Sequence, residues 1–444
     1  MTARNKGAYC VGSPSFNPNA AIKDSATHAK ALRILDESDD FETAIRTWFA
    51  LPPREKDDYV YHAITSIKLA RVQQMVNDAA KSGISSVLHA WYMPNKNDLN
   101  PSPEDEDESP NWNLPPPPRQ DVEAYISIFA PATQTASALK SFVSNAKRGS
   151  IRLAAGNYLV EKRFIHTGHR QYAQLNIAKV KPASKTPPPC NPYFDFWAWS
   201  CRHLEWCGPV QFPDADNTKG SSPSPGPGET EDVGPYLNPR ITNPILPILM
   251  HHFGCAVPSH EALSILAVLA QGRPIVDVGS GSGYWTFMLR QYLKNETQVI
   301  PVDNAQSEWR AQWVSDTVLS DGTKWLKAHN GGKDHVLLIV YPIVGGGVAG
   351  GVEGGFVRSL VSAYKGDTIA VVGTQNRNGY TAFSNMTMDE FMVREHGDEW
   401  TKVVQIPLPS FAGKDEALFV FQRGERAPSP SSNASQASVA ALPN

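Results

Sequence analysis

The fold of this chain is decided by the stretch Pro274-Ile275-Val276-Asp277-Val278-Gly279-Ser280-Gly281-Ser282-Gly283-Tyr284-Trp285-Thr286. β-Branched residues come first, three glycines follow at every second position, and an aromatic pair begins the next segment. This pattern predicts a short buried strand, an abrupt glycine turn and the first turn of a helix. The backbone N–H groups of such a turn are free to face a bound ligand.

Two carboxylates accompany the turn. Asp277 stands two residues before the first glycine, and Asp303 ends the next predicted strand, residues 298–303. Twenty residues separate Gly283 from Asp303, which is about the spacing that lets an acid reach ribose hydroxyls across one βαβ unit. The sequence therefore predicts an enzyme that uses an adenosine-containing cofactor.

The residues around the turn favour S-adenosyl-L-methionine over a dinucleotide. A dinucleotide fingerprint has its third glycine three residues after the second, but here bulky Tyr284 occupies that position and Gly283 comes one residue earlier. The Asp277 carboxylate would repel a pyrophosphate, whereas it suits a cationic sulfonium ligand with an ammonium group. An NAD(P)-dependent oxidoreductase remains an alternative interpretation.

The residues that follow predict a complete α/β sheet. Further strands are expected at 318–322, 335–342, 368–373, 400–406 and 417–422, with helices near 323–329, 353–364 and 388–396. The connection between the last two strands is too short for a crossover helix, so they should pair antiparallel. Asp321 would lie beside the adenine, where a carboxylate accepts from an exocyclic amine. We predict a Rossmann-like, mostly parallel sheet of seven strands with an antiparallel last strand, preceded by a largely helical N-terminal region.

Residues 256–423 resemble class I (Rossmann-like) S-adenosylmethionine-dependent methyltransferases. More narrowly, they resemble an uncharacterised group of methyltransferase-like proteins. The shared motifs are Pro258–Leu263 (PSHEAL), Gly279–Trp285 (GSGSGYW), Leu337–Pro342 (LLIVYP) and Tyr364–Asp367 (YKGD). The resemblance implies no particular substrate. It implies cofactor contacts at Asp277, Gly279, Gly281, Gly283, Asp303, Asp321 and Tyr341. We add the aromatic pair of the loop, Tyr284 and Trp285, to this candidate cofactor site.

One departure from the related enzymes concerns the acceptor. Methyltransferases that act on an adenine amine typically carry Asp or Asn before two prolines, whereas this chain has Tyr341-Pro342-Ile343. Tyrosine is a poor acceptor for an amine that must be activated, so adenine N6 chemistry is disfavoured. We identify no catalytic residue from the sequence, and expect a small-molecule or protein methyl acceptor. A non-catalytic protein that keeps the fold for binding or scaffolding is the main alternative.

Composition narrows the class of protein. The chain has 444 residues, 41% hydrophobic residues and a formal net charge of −3, which gives no electrostatic reason to expect nucleic acid or an acidic membrane as partner. Five cysteines and an N-terminus without an apolar signal segment suit a reducing compartment. We expect a cytoplasmic protein, with a nuclear location left open. Residues 336–352 carry no charge, but their glycines favour a buried strand and a glycine loop over a membrane span.

The rest of the chain predicts the following organisation. Residues 1–20 should be disordered, and 21–210 mostly helical, with helices near 25–35, 40–49, 54–81 and 121–147 and an acidic, proline-rich linker at about 100–119. Residues 211–235 form a second linker, 236–423 the methyltransferase-like domain, and 424–444 a disordered tail.

Two further clusters carry weaker hypotheses. Residues 187–207 are rich in aromatics and contain Cys190, Cys201, His203 and Cys207. Their spacing matches no paired zinc motif, so we predict no metal site and expect these residues to pack among the rings. His251 and His252 could serve as a general base, although most histidines do no chemistry.

Overall fold

The computed structural model describes residues 16–62, 66–82, 117–167, 170–181, 188–209, 244–346 and 351–428. In chain order its strands are β1 (Tyr61–His62), β2 (Ser66–Ile67), β3 (Phe164–Ile165), β4 (Ile275–Val278), β5 (Val299–Asp303), β6 (Val318–Leu319), β7 (Val336–Val340), β8 (Thr368–Thr374), β9 (Thr401–Pro407) and β10 (Glu416–Gln422). Strands β1 and β2 pair with each other, and the other eight form one sheet in the order β3-β9-β10-β8-β7-β4-β5-β6.

The sheet is mostly parallel, as predicted. Strand β4 pairs parallel with β5 on one side and with β7 on the other, and β7 continues parallel to β8. Strand β10 runs antiparallel to both β8 and β9, which confirms the antiparallel last strand. The chain order reverses on either side of β4, and ligands of open α/β sheets bind at the carboxyl edge beside such a reversal.

All seven predicted strands are present in the sheet as β4 to β10, and one further strand joins them. The eighth strand, β3, comes from the N-terminal half and pairs antiparallel with the outer edge of β9, Phe164 opposite Gln405 and Ile165 opposite Val404. The His166 N–H donates to the Val403 carbonyl oxygen at 2.9 Å and extends the pairing. Two residues have too short a pattern to be recognised as a strand, and their pairing partner lies far away in the sequence.

Helices surround the sheet. They are α1 (Pro18–Ala21), α2 (Ser25–Ser38), α3 (Phe41–Trp48), α4 (Leu69–Ser82), α5 (Arg119–Ile128), α6 (Thr135–Ser144), α7 (Ile151–Lys162), α8 (Pro192–His203), α9 (Leu246–Phe253), α10 (His260–Ala270), α11 (Tyr284–Leu293), α12 (Gly322–Ala328), α13 (Gly355–Ala363) and α14 (Met388–His396). The helices predicted near 25–35, 40–49, 353–364 and 388–396 are present.

The single helix predicted over 54–81 was wrong. A short 3-10 turn, Arg54–Lys56, comes first, the β1–β2 hairpin follows, and only then does α4 begin. The Tyr59-Val60-Tyr61 run has strong β propensity, and the Tyr61 ring is buried with its hydroxyl hydrogen-bonded to His252. Tertiary packing therefore decides the conformation of this segment.

The N-terminal helices and the sheet share one hydrophobic core. The aromatic rings of Trp48, Phe253 and Trp313 lie in a single buried cluster with Val372 of β8 and Leu418 of β10. A bidentate ion pair also joins the two halves, because the guanidinium of Arg163 donates to both carboxylate oxygens of Glu261 at 3.0 and 2.6 Å. A second cluster, on the other face of the sheet, is formed by residues of the C-terminal half.

Both chain ends are ordered further than predicted. Phe16 is buried against Trp48 and Trp313, and Asn17 caps α1, so residues 16–20 are not disordered. Residues 424–426 form a 3-10 turn in which the Arg426 Nε donates to Asp367 at 2.9 Å. The predicted disorder at 1–15 and 429–444, and the predicted linkers at 100–116 and 211–235, lie outside the described residues.

Across the described ranges, every helix is too short or too polar to cross a lipid bilayer.

Candidate functional site

The glycine loop follows β4 at the carboxyl edge of the sheet. Gly279, Gly281 and Gly283 all have positive φ, at 78°, 56° and 78°. A Cβ at Gly281 would lie 2.8 Å from the Trp309 ring, and one at Gly283 would lie 2.4 Å from a methyl group of Val314. The segment after β5 therefore packs so closely on the loop that only glycine fits at these two positions.

Asp303 holds the loop from the end of β5. One oxygen of its carboxylate accepts from the Gly281 N–H at 3.0 Å, and the other accepts from the Ala305 N–H at 2.6 Å. Asp303 is half-buried, and a carboxylate has about four lone-pair sites, of which these bonds use two. Two lone-pair sites of the carboxylate therefore remain for further donors.

Asp277 lies beneath the loop and is completely buried. Its Oδ2 accepts from the Thr286 hydroxyl at 2.7 Å, while its Oδ1 has no hydrogen-bond partner. Burial raises the pKa of the Asp277 carboxyl to about 7, although the Thr286 hydrogen bond opposes the rise. A buried carboxylate oxygen without a partner is costly, and a cationic ligand group is the chemistry that it would accept.

Asp321 lies at the carboxyl end of β6, where it begins a helix. Its side chain is exposed, and one oxygen accepts from the Lys324 N–H at 2.9 Å as the N-cap of α12. This position is on the same edge of the sheet as Asp303, because β5 and β6 are parallel neighbours.

Tyr284 and Trp285 lie in the core, so their side chains are not open to a ligand at the loop. The Tyr284 hydroxyl donates to Asn191 at 2.8 Å, and the Trp285 indole donates to the Ala256 carbonyl at 2.9 Å. Both rings are almost completely buried. The prediction of cofactor contacts at these two residues is therefore limited to their backbone, because the rings join α11 to the N-terminal half.

Tyr341 follows β7 directly and meets a charged pair that sequence reasoning missed. Its φ of +53° is unusual for a bulky residue, and its hydroxyl accepts from the Lys414 ammonium at 2.6 Å. The Lys414 Nζ also lies 3.7 Å from an oxygen of Glu416. The only signal in the sequence was a run of charges, Lys414-Asp415-Glu416, at the start of an otherwise apolar strand.

His251 and His252 pack against the β1–β2 hairpin. The His251 Nε2 donates to the His62 carbonyl and its Nδ1 accepts from the Tyr59 hydroxyl, both at 2.9 Å. The His252 Nε2 forms a hydrogen bond with the Tyr61 hydroxyl at 2.9 Å. Burial lowers the pKa of both imidazoles. These contacts give the two histidines a structural role, and the general-base hypothesis loses its support.

The N-terminal half braces the site through Arg310. This guanidinium is buried, donates to Asp57 at 2.7 Å and lies over the Tyr59 ring at 4.3 Å. Three residues further on, the Trp313 N–H donates to the Ser282 carbonyl of the glycine loop at 2.8 Å. The segment after β5 thus connects the hairpin to the loop.

The cysteines and histidine of 187–207 do not form the zinc set that was considered. His203 pairs with Asp39 at 3.1 Å. Among the described residues, His28, Cys190 and Asp195 bring together side-chain atoms that could bind a metal, all within 4.8 Å of one another. His28 Nδ1 accepts from the Trp48 indole at 2.9 Å, so the proton of the neutral ring lies on Nε2, which donates to Asp195 at 3.0 Å. Neither ring nitrogen then has a free lone pair, and this donor set does not fit a metal ion.

Comparison with known proteins gives one sequence match in this region. Residues 252–317 match the family profile described as protein-L-isoaspartate(D-aspartate) O-methyltransferase (PCMT). No curated protein sequence matches the chain. The matched segment begins at the last two residues of α9 and contains α10, β4, the glycine loop, α11 and β5.

Similar solved structures include a precorrin-6y C5,15-methyltransferase from Geobacter metallireducens GS-15, 10% identical, with a TM-score of 0.22 over 39% of this chain and 93% of that chain. Another is Sp1610 of Streptococcus pneumoniae, titled a putative tRNA (m1A22) methyltransferase, 16% identical, with a TM-score of 0.20 over 38% of this chain and 72% of that chain. TM-scores of this size support no inference about this chain.

The strand order, the glycine loop and the profile match agree with one another. The order β9-β10-β8-β7-β4-β5-β6, with β10 antiparallel, is the sheet of the enzymes that the sequence motifs resemble. Together these features support the class I, Rossmann-like methyltransferase superfamily for residues 246–422.

Proposed function

We propose that this protein binds S-adenosyl-L-methionine and transfers its methyl group to a small-molecule or protein acceptor. The observation that carries the proposal is Asp277, a fully buried carboxylate beneath the glycine loop with one oxygen lacking a partner. A pyrophosphate would be repelled there, whereas the ammonium of a methionine moiety supplies the missing donor and the compensating charge.

The chain's own residues would then have distinct roles. Asp277 binds the ammonium, Asp303 accepts from the ribose hydroxyls while it holds the loop, and Asp321 accepts from the adenine amine. When bound, S-adenosyl-L-methionine supplies a methyl group on an electrophilic sulfonium. The protein aligns the acceptor with that group and excludes water. Tyr341, at the end of β7, would border the position where acceptor and cofactor meet.

Calorimetric titration with S-adenosyl-L-methionine and with S-adenosylhomocysteine tests the proposal. We expect micromolar binding by the full chain, a loss of at least tenfold in Asp303→Ala and in Asp277→Asn, and no change in Asp398→Asn. Asp398 is exposed and follows α14, so it is a matched control for the removal of one carboxylate. Folded protein that binds neither compound would contradict the proposal.

The two alternatives predict different results. An oxidoreductase would change the fluorescence of reduced nicotinamide cofactor on binding, and would not respond to S-adenosylhomocysteine. A non-catalytic relative would bind S-adenosyl-L-methionine without releasing S-adenosylhomocysteine across broad acceptor panels.

A further inference from the structure

A buried polar cluster lies beside the glycine loop, and the cofactor roles proposed above leave its charged pair unused. Its centre is Glu416, the first residue of β10, which is 1% exposed. Neither oxygen of its carboxylate has a hydrogen-bond partner. The neighbouring Ser410 hydroxyl donates to the Leu408 carbonyl and accepts from the Glu416 N–H. It is close enough to the Glu416 carboxylate to oppose the rise of its pKa, but its hydrogen bonds go to the backbone.

The pair that Glu416 makes with Lys414 is a poor structural ion pair. Their closest N···O distance is 3.7 Å, beyond hydrogen-bond length, although Lys414 is also buried, at 4% exposed. Burying two charges is offset only when geometry is good and the remaining lone pairs are satisfied. Here the ammonium donates to Tyr341 instead, and Glu416 is left with unused acceptor capacity.

The cluster lies next to the cofactor loop. Strand β7 pairs with β4 as far as Ile339 opposite Val278, so Tyr341 and the glycine loop follow the carboxyl ends of two neighbouring parallel strands. The charges of Lys414 and Glu416 also influence the pKa of the buried Cys255 thiol. The preceding residue, Gly254, would place a Cβ 3.6 Å from the Ser282 hydroxyl of the loop.

Two tyrosine rings lie close to the ammonium of the cluster. Lys414 lies 4.3 Å from the Tyr341 ring centre and 5.8 Å from that of Tyr380. Both tyrosines are half-buried, whereas Lys414 and Glu416 are buried. An acceptor with a cationic head and a planar or apolar body suits such a site.

We propose that Glu416 binds the amino group of the methyl acceptor and takes its proton, so that this methyltransferase acts on an amine rather than on a carboxylate. The inference rests on the proposed function. An acceptor carboxylate would meet the buried Glu416 carboxylate and be repelled, whereas an ammonium supplies the donors that Glu416 lacks.

The transfer would begin with the removal of a proton from the acceptor. Glu416 accepts one proton from the acceptor ammonium, which gives a neutral amine with a free lone pair. That lone pair forms the new N–C bond to the methyl group as the S–C bond breaks, and the electron pair of that bond stays on sulfur as a thioether. The product leaves as a methylated ammonium, and the Glu416 proton returns to solvent.

The pKa of the Glu416 carboxyl suits a group that accepts a proton near neutral pH. Burial raises the pKa of the Glu416 carboxyl to about 7, with the Lys414 charge opposing the rise. The other titratable groups near it are Lys414 and Asp415 on its own segment, Tyr193 of α8, Cys255 after α9, and Tyr341 and Tyr380. Burial raises the pKa of the Cys255 thiol and of the three tyrosines above their usual alkaline values. Asp415 is held by Tyr158 and Gln375 instead.

Three isosteric probes test the proposal: 2-phenylethylamine, 3-phenylpropanoate and 2-phenylethanol, titrated calorimetrically at pH 8 into the full chain with and without S-adenosylhomocysteine. We expect the amine to bind at least tenfold more tightly than the other two. Glu416→Gln should lose that preference while it keeps its affinity for S-adenosylhomocysteine. Glu399→Gln, which removes an exposed carboxylate near β9, should keep both.

Three results would overturn the proposal: equal binding of all three probes, binding of none of them, or an amine preference that survives in Glu416→Gln. If that variant fails to fold, the wild-type protein provides the test, because amine affinity should fall tenfold or more from pH 8 to pH 6. If Asp277→Asn shows the same fall in amine affinity, then Asp277, the other carboxylate with a pKa near 7, is not its cause. An amine affinity of the wild-type protein that does not change with pH would contradict the proposal. Amine binding without any S-adenosylhomocysteine binding would refute the proposed function while leaving the Glu416 site in place.

Discussion

Replacing Asp277 with asparagine should stabilise the protein at alkaline pH while it removes the proposed contact with the cofactor ammonium. The unfolded chain releases the Asp277 proton near the usual value of 3.8, whereas the folded protein holds it until about pH 7. Across that window the folded state binds more protons, so the free energy of unfolding falls as the pH rises. The difference of about three pH units corresponds to a loss of ~4 kcal/mol above pH 7.

Asparagine has the same shape and no charge. The Thr286 hydroxyl can still donate to its amide oxygen, but the amide NH2 then takes the place of the unpartnered Oδ1. An unsatisfied buried donor costs ~1–3 kcal/mol. Asp277→Asn should therefore gain ~1–3 kcal/mol at pH 8. At pH 5 the wild-type loss is only ~2 kcal/mol, and the gain should disappear.

Urea unfolding, followed by tryptophan fluorescence, measures the stability gain of Asp277→Asn at pH 5 and at pH 8. The free energy of unfolding of the wild-type protein is subtracted from that of the variant at each pH, because Glu416 contributes the same pH dependence to both proteins. We expect that difference to grow by ~2–3 kcal/mol from pH 5 to pH 8, and to stay constant for Asp398→Asn. A difference for Asp277→Asn that does not change with pH would refute a buried, raised-pKa carboxylate beneath the loop.

Three further predictions concern stability, each measured by urea unfolding. Gly283→Ala should lower the free energy of unfolding by ~2–5 kcal/mol, because the new Cβ combines a positive φ with a contact of 2.4 Å. The control, Gly424→Ala, has a positive φ but open space around it, so it should cost only ~1–2 kcal/mol. Equal losses in the two variants would contradict the close packing at Gly283. Glu261→Gln should cost ~3–5 kcal/mol by leaving the buried Arg163 guanidinium uncompensated, and adding Arg163→Met should restore part of that loss. Phe16→Ala should cost ~3–5 kcal/mol as a buried aromatic, whereas a disordered N-terminus would show no effect.

The C-terminal half was predictable because its signals are local. The strand from Ile275 to Val278, the positive-φ glycines and the carboxylate at Asp303 all follow from patterns a few residues long. The helix predicted at 388–396 has the same bounds in the structure, since Thr387 and Glu390 form a capping box that any sequence reader can recognise.

The rest depended on contacts between distant residues. Tyr284 and Trp285 gave the most specific part of the loop motif, yet their rings belong to the core because Asn191 and Ala256 provide their hydrogen-bond partners. The Glu416 cluster joins residues more than seventy positions apart, since Lys414 meets Tyr341 only when β10 inserts beside β8. No local pattern reports such a pairing.

Strand β3 has a practical consequence for the solubility of shortened chains. In the full protein it covers the outer edge of β9, whose backbone groups would otherwise be open to another strand. A chain cut to begin at residue 236 would expose that edge and the apolar face beneath the N-terminal helices together. Exposed edges pair with other molecules, so we expect such a fragment to aggregate even though it contains every element of the methyltransferase sheet.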